Sequence, residues 1–122
     1  MSTIIASNIS DGTTSVPSTY VVNGSAKVWA NLNGTGTIAL RDSFNVASVT
    51  DNSTGNYSYN LTANMNDANY CVCTSYESYN SSTQNDGIHL LAVGSIRLYA
   101  SNPSVASTDN TIVTALAHGD LA

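Results

Sequence analysis

Apolar residues in this chain alternate with polar ones in short runs, and Gly, Asn, Asp, Ser and Pro separate the runs. A period of two is the mark of a strand with one buried face. Val28, Ala30 and Leu32 against Lys27, Trp29 and Asn31 predict a strand over 26–32. Asn33-Gly34-Thr35-Gly36 follows, and Asn-Gly predicts a type I′ turn because both residues tolerate positive φ. Over 37–43, Ile38 and Leu40 share one face, Ala39 and Arg41 the other. A third strand over 44–50 has Phe44 and Val46 in phase; Val49 falls out of phase and predicts a bulge or a twist near Ser48. A loop of about five residues, 51–55, leads to 56–61, where Tyr57, Tyr59 and Leu61 alternate with Asn56, Ser58 and Asn60.

Met65 is the apolar plug of the next connection. Over 69–76, Tyr70 and Val72 oppose Cys71 and Cys73, so this strand is expected to be buried on both sides. Residues 77–87 read as an exposed polar loop. Strands over 88–93 and 95–99, broken at Gly94, precede a second polar loop with Pro103. The last strand, 111–118, sets Val113, Ala115 and Ala117 against Ile112, Thr114 and Leu116. No stretch of a dozen residues keeps the helical period. About eight short strands predict an all-β fold, a small antiparallel β-sandwich.

Residues 1–23 differ. Thr3-Ile4-Ile5 and Tyr20-Val21-Val22 read as short strands around a polar loop with Gly12 and Pro17. The segment is too thin to own a core. It is expected to be an edge hairpin or an arm that packs on another subunit, joined to a head domain over 24–122.

Composition narrows the functional classes. Only 9% of the 122 residues are charged, against about 25% in an ordinary domain; 15 Asn, 18 Ser and 14 Thr take their place. A net charge of −5 excludes the cationic patch of a nucleic-acid binder. No apolar run approaches the roughly 18 residues of a membrane helix, so no membrane insertion is expected. The start, Met1-Ser2-Thr3-Ile4-Ile5, lacks the basic and apolar regions of a signal peptide, so synthesis in a cytoplasm is expected. The Asn-x-Ser/Thr sequons, such as those at Asn33 and Asn60, are then products of composition.

Candidate chemistry is sparse, and no enzyme activity, metal or cofactor is expected. Asp42, Asp51 and Asp67 fall in turns or at strand ends, where such side chains cap their own backbone. There is no Gly-x-Ser-x-Gly elbow. Cys71 and Cys73 read as buried thiols, with an interchain bridge as the minor alternative. Surface recognition fits better: Tyr76, Tyr79, Asn80, Gln84, Asn85 and Asp86 crowd the longest loop, and Tyr with Asn and Ser makes adaptable contacts. A host-surface glycan or protein is one ligand for it, and an ordinary polar loop is the alternative. Trp29, Arg41, Asp42 and Phe44 are candidate subunit-interface residues; Arg41 beside Asp42 is either an intersubunit ion pair or a local solvated one.

A further pattern lies in the order of short blocks: Lys27-Val28-Trp29-Ala30-Asn31-Leu32-Asn33-Gly34-Thr35-Gly36, then Arg41-Asp42-Ser43-Phe44-Asn45-Val46, Val49-Thr50-Asp51-Asn52, Gly55-Asn56-Tyr57 and Asp67-Ala68-Asn69-Tyr70. This order resembles a β-sandwich domain repeated across the tail-fibre proteins of marine and other environmental bacteriophages. The resemblance is densest from Lys27 to Tyr70 and reaches, more loosely, from Gly24 to His118. It implies a virion protein, commonly a homotrimer, with a receptor-binding head and an N-terminal segment that attaches to other virion proteins. A short tail fibre is the expected function. The alternative is a capsid or collar decoration that binds no receptor.

Overall fold

The computed structural model describes residues 2–76, 85–101 and 107–122, with only the backbone at 85, 86, 89, 100 and 101. The described residues are all-β apart from one short helix. In order it runs β1 (Asn8–Ser10), β2 (Ser15–Pro17), α1 (Ser18–Gly24), β3 (Val28–Asn33), β4 (Ala39–Phe44), β5 (Val46–Ser53), β6 (Asn56–Leu61), β7 (Cys71–Tyr76), β8 (Asn85–Ala92), β9 (Ser95–Ser101) and β10 (Val113–His118). Eight of these strands form two antiparallel sheets, ordered β4-β3-β10-β7 and β5-β6-β9-β8; β1 and β2 pair only with each other.

The core lies between the two four-stranded sheets. Alternation on β3 and β10 turns Val28, Leu32, Val113 and Ala117 inward, where they meet Tyr57, Tyr59, Ile96 and Leu98 of the other sheet. All eight are fully buried. Burying each large side chain contributes about 1.5–3 kcal/mol. The Tyr59 hydroxyl crosses the core and donates to the Val113 carbonyl at 3.2 Å.

One continuous stretch of chain closes a side of the sandwich. β4 leaves the first sheet and β5 enters the second through a single residue, Asn45, at φ 59°. Asparagine tolerates this left-handed conformation. Its side chain fixes the corner: Oδ1 accepts the Ala63 N–H at 2.7 Å and Nδ2 donates to the Ala63 carbonyl at 3.0 Å. Phe44 and Val46 are therefore not in phase. The corner leaves Phe44 52% exposed while Val46 packs on the core.

Several local expectations change for similar reasons. The register slips between Val46 and Ser48, the bulge that Val49 predicted. The loop before β6 shrinks to Thr54-Gly55, because β5 runs on to Ser53 and Gly55 turns at φ 66°. Asn33-Gly34 is not a type I′ turn: of that turn only Gly36 has positive φ. Gly34 is required for room instead, since a Cβ there would lie 2.6 Å from the Tyr57 hydroxyl and 2.8 Å from the Asn110 carbonyl. Tyr20-Val21-Val22 forms the middle of α1 rather than a strand. Pro17 sets the helix entry, and the Lys27 ammonium lies on the Val22 carbonyl at its C-terminal end, where a cation is favoured.

Candidate functional site

Strand alternation that fills the core also dictates what faces out. With Val28, Ala30 and Leu32 inward, Trp29 must point away from the core. The registers of the first sheet then place Phe44 (β4), Trp29 (β3), Leu116 (β10) and Cys73 (β7) in one cross-strand row. Phe44 is 52% exposed and Trp29 and Leu116 are each 37% exposed. The cysteine at the end of the row is exposed too. One row along, Asp42, Asn31, Thr114 and Ser75 align. On the other side, Cys71 faces His118.

Both cysteines are thus exposed, against the expectation of buried thiols. The physical reason is position: β7 ends the sheet, and among the described residues its outward Cys71, Cys73 and Ser75 are exposed. Arg41 and Asp42 use separate partners. The Arg41 guanidinium donates to the Leu32 carbonyl at 2.9 Å and to Asn31 Oδ1 at 3.1 Å, while Asp42 Oδ1 accepts the Ser43 N–H at 2.8 Å.

The candidate contact loop is placed only in part. Tyr79, Asn80 and Gln84 lie outside the described residues. Asn85 and Asp86 belong by their backbone to β8 rather than to a loop. Tyr76 ends β7 with its ring in the core, 8% exposed, so it is a packing residue and not a surface contact.

The N-terminal segment is a second apolar surface. None of residues 2–25 is buried. The β1–β2 hairpin is closed by its own polar groups: Asp11 Oδ1 accepts the N–H of Thr13 and Thr14 at 2.9 and 2.7 Å, which holds that carboxyl below its usual pKa. Its apolar side chains find no cover. Ile4 and Ile5 are 93% and 94% exposed, and Ile9, Val16, Tyr20, Val21 and Val22 are exposed as well. Lys27 ties the segment to the sandwich. Its buried ammonium donates to the carbonyls of Val22 and Ser25 and to Ser25 Oγ. A buried charge needs such partners.

Two further constellations escaped the sequence pattern. At one end of the sandwich, Asp109 Oδ1 accepts the Tyr57 hydroxyl at 2.7 Å and the Gly55 N–H at 2.7 Å. Tyr57 also reaches the Gly34 carbonyl at 2.9 Å. Burial, and then the Asp109 carboxylate, push the Tyr57 hydroxyl far above the ordinary tyrosine range. At the other end, the Tyr70 hydroxyl meets the carbonyls of Ala92 and Ser95 at 2.9 and 3.0 Å and holds the β8–β9 turn. These partners lie 22–54 residues apart, so no local spacing signals them. Of the three acids expected in turns or at strand ends, Asp67 caps its own turn, its Oδ1 accepting the Asn69 N–H at 2.7 Å, whereas Asp42 lies within β4 and Asp51 within β5, because both strands run on past the expected turns. Among the described residues, no three His, Cys, Asp or Glu side chains group as metal ligands. Among the described residues no helix is long and apolar enough to cross a membrane.

The chain matches no known protein family, no curated protein and no solved structure.

Proposed function

We propose that this chain is a structural protein of a tailed-bacteriophage particle: a short tail fibre whose β-sandwich head serves host attachment and whose copies assemble as a homotrimer. One observation carries the reading. The protein exposes an apolar row on one sheet face and an apolar N-terminal segment that buries none of its own residues. Contiguous apolar surface of this kind marks an interaction site. The block order from Lys27 to Tyr70 supplies the fibre context. Neutral Asn, Ser and Thr side chains supply a surface suited to many weak hydrogen bonds.

In this reading Trp29, Phe44 and Leu116 are covered by a neighbouring copy, and residues 1–23 reach other virion proteins or adjacent subunits. Host contact falls to the polar stretch with Tyr79, Asn80, Gln84, Asn85 and Asp86, against a cell-surface glycan or protein. The test is a cryo-EM map of the intact particle with native mass of the purified chain. Density on the tail and a trimeric mass are expected. Density on the shell or neck would make the protein a decoration, and a monomer at micromolar concentration would remove the trimer.

A further inference from the structure

Four strands form the edges of the two sheets, and three are blunted. β4 carries Arg41 and Asp42, and Arg41 is the extra residue of a bulge, since Asp42 faces Asn31 and Leu40 faces Leu32. β5 carries Asp51 and slips register twice. β8 slips register between Ile88 and Leu90. Charges and bulges are the devices that stop an edge from pairing with another chain. β7 has neither. Its residues, Cys71–Tyr76, are uncharged, lack proline, and pair with β10 in unbroken register from Tyr76–Val113 to Cys71–His118. No strand among the described residues pairs with its other side.

The backbone at this edge is oriented for pairing. The Ala117 carbonyl accepts the Lys27 N–H at 2.8 Å, so Ala117 turns its peptide groups towards β3. Antiparallel alternation then turns the peptide groups of Val72, which faces Ala117, and those of Thr74, out to the open edge. The side chains are equally unfinished. Val72 packs on the core but stays half-buried, and Cys71 and Cys73 are exposed on the opposite face.

The same chain carries a strand-like segment with no sheet. Thr3, Ile4 and Ile5 are all β-branched, residues favoured in strands. They join no element, and both isoleucines are almost fully exposed. Beside β7, alternation would send one isoleucine over Val72 and the other next to Cys73, as a fifth member of the Phe44–Trp29–Leu116–Cys73 row.

We propose that residues 3–5 of one copy add as a strand to β7 of the next copy, so that each arm completes its neighbour's sheet. This rests on the self-assembly reading and specifies its contact: a head-to-tail donation that closes into a ring. In a single copy the segment lies off its own sheet, which leaves it for a neighbour. The seven exposed large apolar side chains of the arm amount to on the order of 600 Å². A standard interface needs about 800 Å² per partner, and the apolar row of the sheet face supplies the remainder.

The experiment compares the full chain with Ile4→Cys and Ile5→Cys, each oxidised by diamide and run on a non-reducing gel. Alternation gives a specific result: one of the two variants forms covalent multimers with Cys71 or Cys73 of the next chain, and the other stays at the unmodified chain's level. Replacing Cys71 and Cys73 with Ser abolishes the product. Thr74→Pro, which removes only an edge-facing N–H, is expected to keep the circular-dichroism spectrum and lose the oligomer. An oligomer by native mass with neither variant cross-linked, or with the cross-link inside one chain, overturns strand donation while self-assembly stands. A monomeric unmodified chain overturns both.

Discussion

The outer faces of the two sheets are built on the same alternation and finished in opposite ways. On β5, β6 and β9 of the second sheet the outward side chains bond to one another, and Leu90 of the edge strand β8, 56% exposed, is the apolar exception. Asn60 donates to Ser48 Oγ and Thr50 Oγ1, both at 3.0 Å; Asn52 donates to Ser58 Oγ at 2.9 Å; and Arg97 Nε donates to Asn56 Oδ1 at 2.9 Å. On β4-β3-β10-β7 the outward row is Phe44, Trp29, Leu116 and Cys73, with no layer above it. A polar face closed by its own hydrogen bonds has no need of a partner. An apolar row gains free energy from any surface that removes it from water. The difference is one of finish: one face closes its polar groups on itself and the other leaves apolar side chains open to water.

The largest expected effect is on assembly. Replacing both Trp29 and Phe44 with Ser removes the aromatic anchors of the row while leaving the inward residues of β3 untouched. Anchors of this type contribute about 2 kcal/mol or more each, so association should weaken roughly 30-fold or more per anchor. Analytical ultracentrifugation would show monomers that keep the circular-dichroism spectrum. Unchanged association would move the interface away from this face.

The contrast holds only if the sheets behave as one body, and Asp109 tests that. The residue precedes β10 of the first sheet and binds Tyr57 and Gly55 of the second. Asp109→Ala leaves the Gly55 N–H without its acceptor and should cost about 1–3 kcal/mol, read by urea denaturation as one cooperative transition. Two separated transitions would mean that the sheets unfold independently.

Alternation made much of this molecule readable. Period two alone groups Val28-Ala30-Leu32, Tyr57-Tyr59-Leu61 and Val113-Ala115-Ala117 each on one face, and the structure buries all nine. Failures cluster where geometry is set by partners distant in sequence. Nothing local marks Asn45 as the residue at which the chain changes sheets, nor β7 as an edge whose cysteines face water. The helix at Ser18–Gly24 defeats the β-propensity of Tyr20-Val21-Val22, because Lys27 supports its last carbonyls and propensity is only a weak prior. Of the candidate interface, Trp29 and Phe44 share the outward row, and Leu116, which completes it, needed the β3–β10 register to be found. The candidate contact loop lost Tyr76 to the core because Tyr76 keeps the inward phase of Tyr70 and Val72 at the end of β7.

A smaller effect separates the sheets by pH. Tyr57 and Tyr59 both lie on β6, and burial raises both hydroxyls far above the ordinary value of 10.0. Each neutral hydroxyl therefore contributes stability that is whole below about pH 10, where the unfolded chain's tyrosines begin to ionise. That contribution is lost as pH rises further. Phenolate absorbance should show Tyr57 and Tyr59 ionising late, at the pH where the core opens. Early ionisation of Tyr59, with the fold intact, would show that the core admits water.

The smallest effect tests the polar face itself. Asn60→Ala removes two hydrogen bonds, but Ser48 and Thr50 are exposed and their hydroxyls can turn to water. The cost is then the net worth of solvated pairs, about 0.5–1 kcal/mol, with no change in oligomeric state. Asn60→Leu is the more pointed variant. It keeps the number of heavy side-chain atoms and places an apolar side chain among the polar bonds of β5 and β6. Stability should change by less than about 1 kcal/mol, while light scattering should reveal a new concentration-dependent association. If Asn60→Leu stays as soluble as the unmodified chain, polarity is not what keeps this face free of partners. The asymmetry between the sheets would then have to come from the shape of the apolar row rather than from its chemistry.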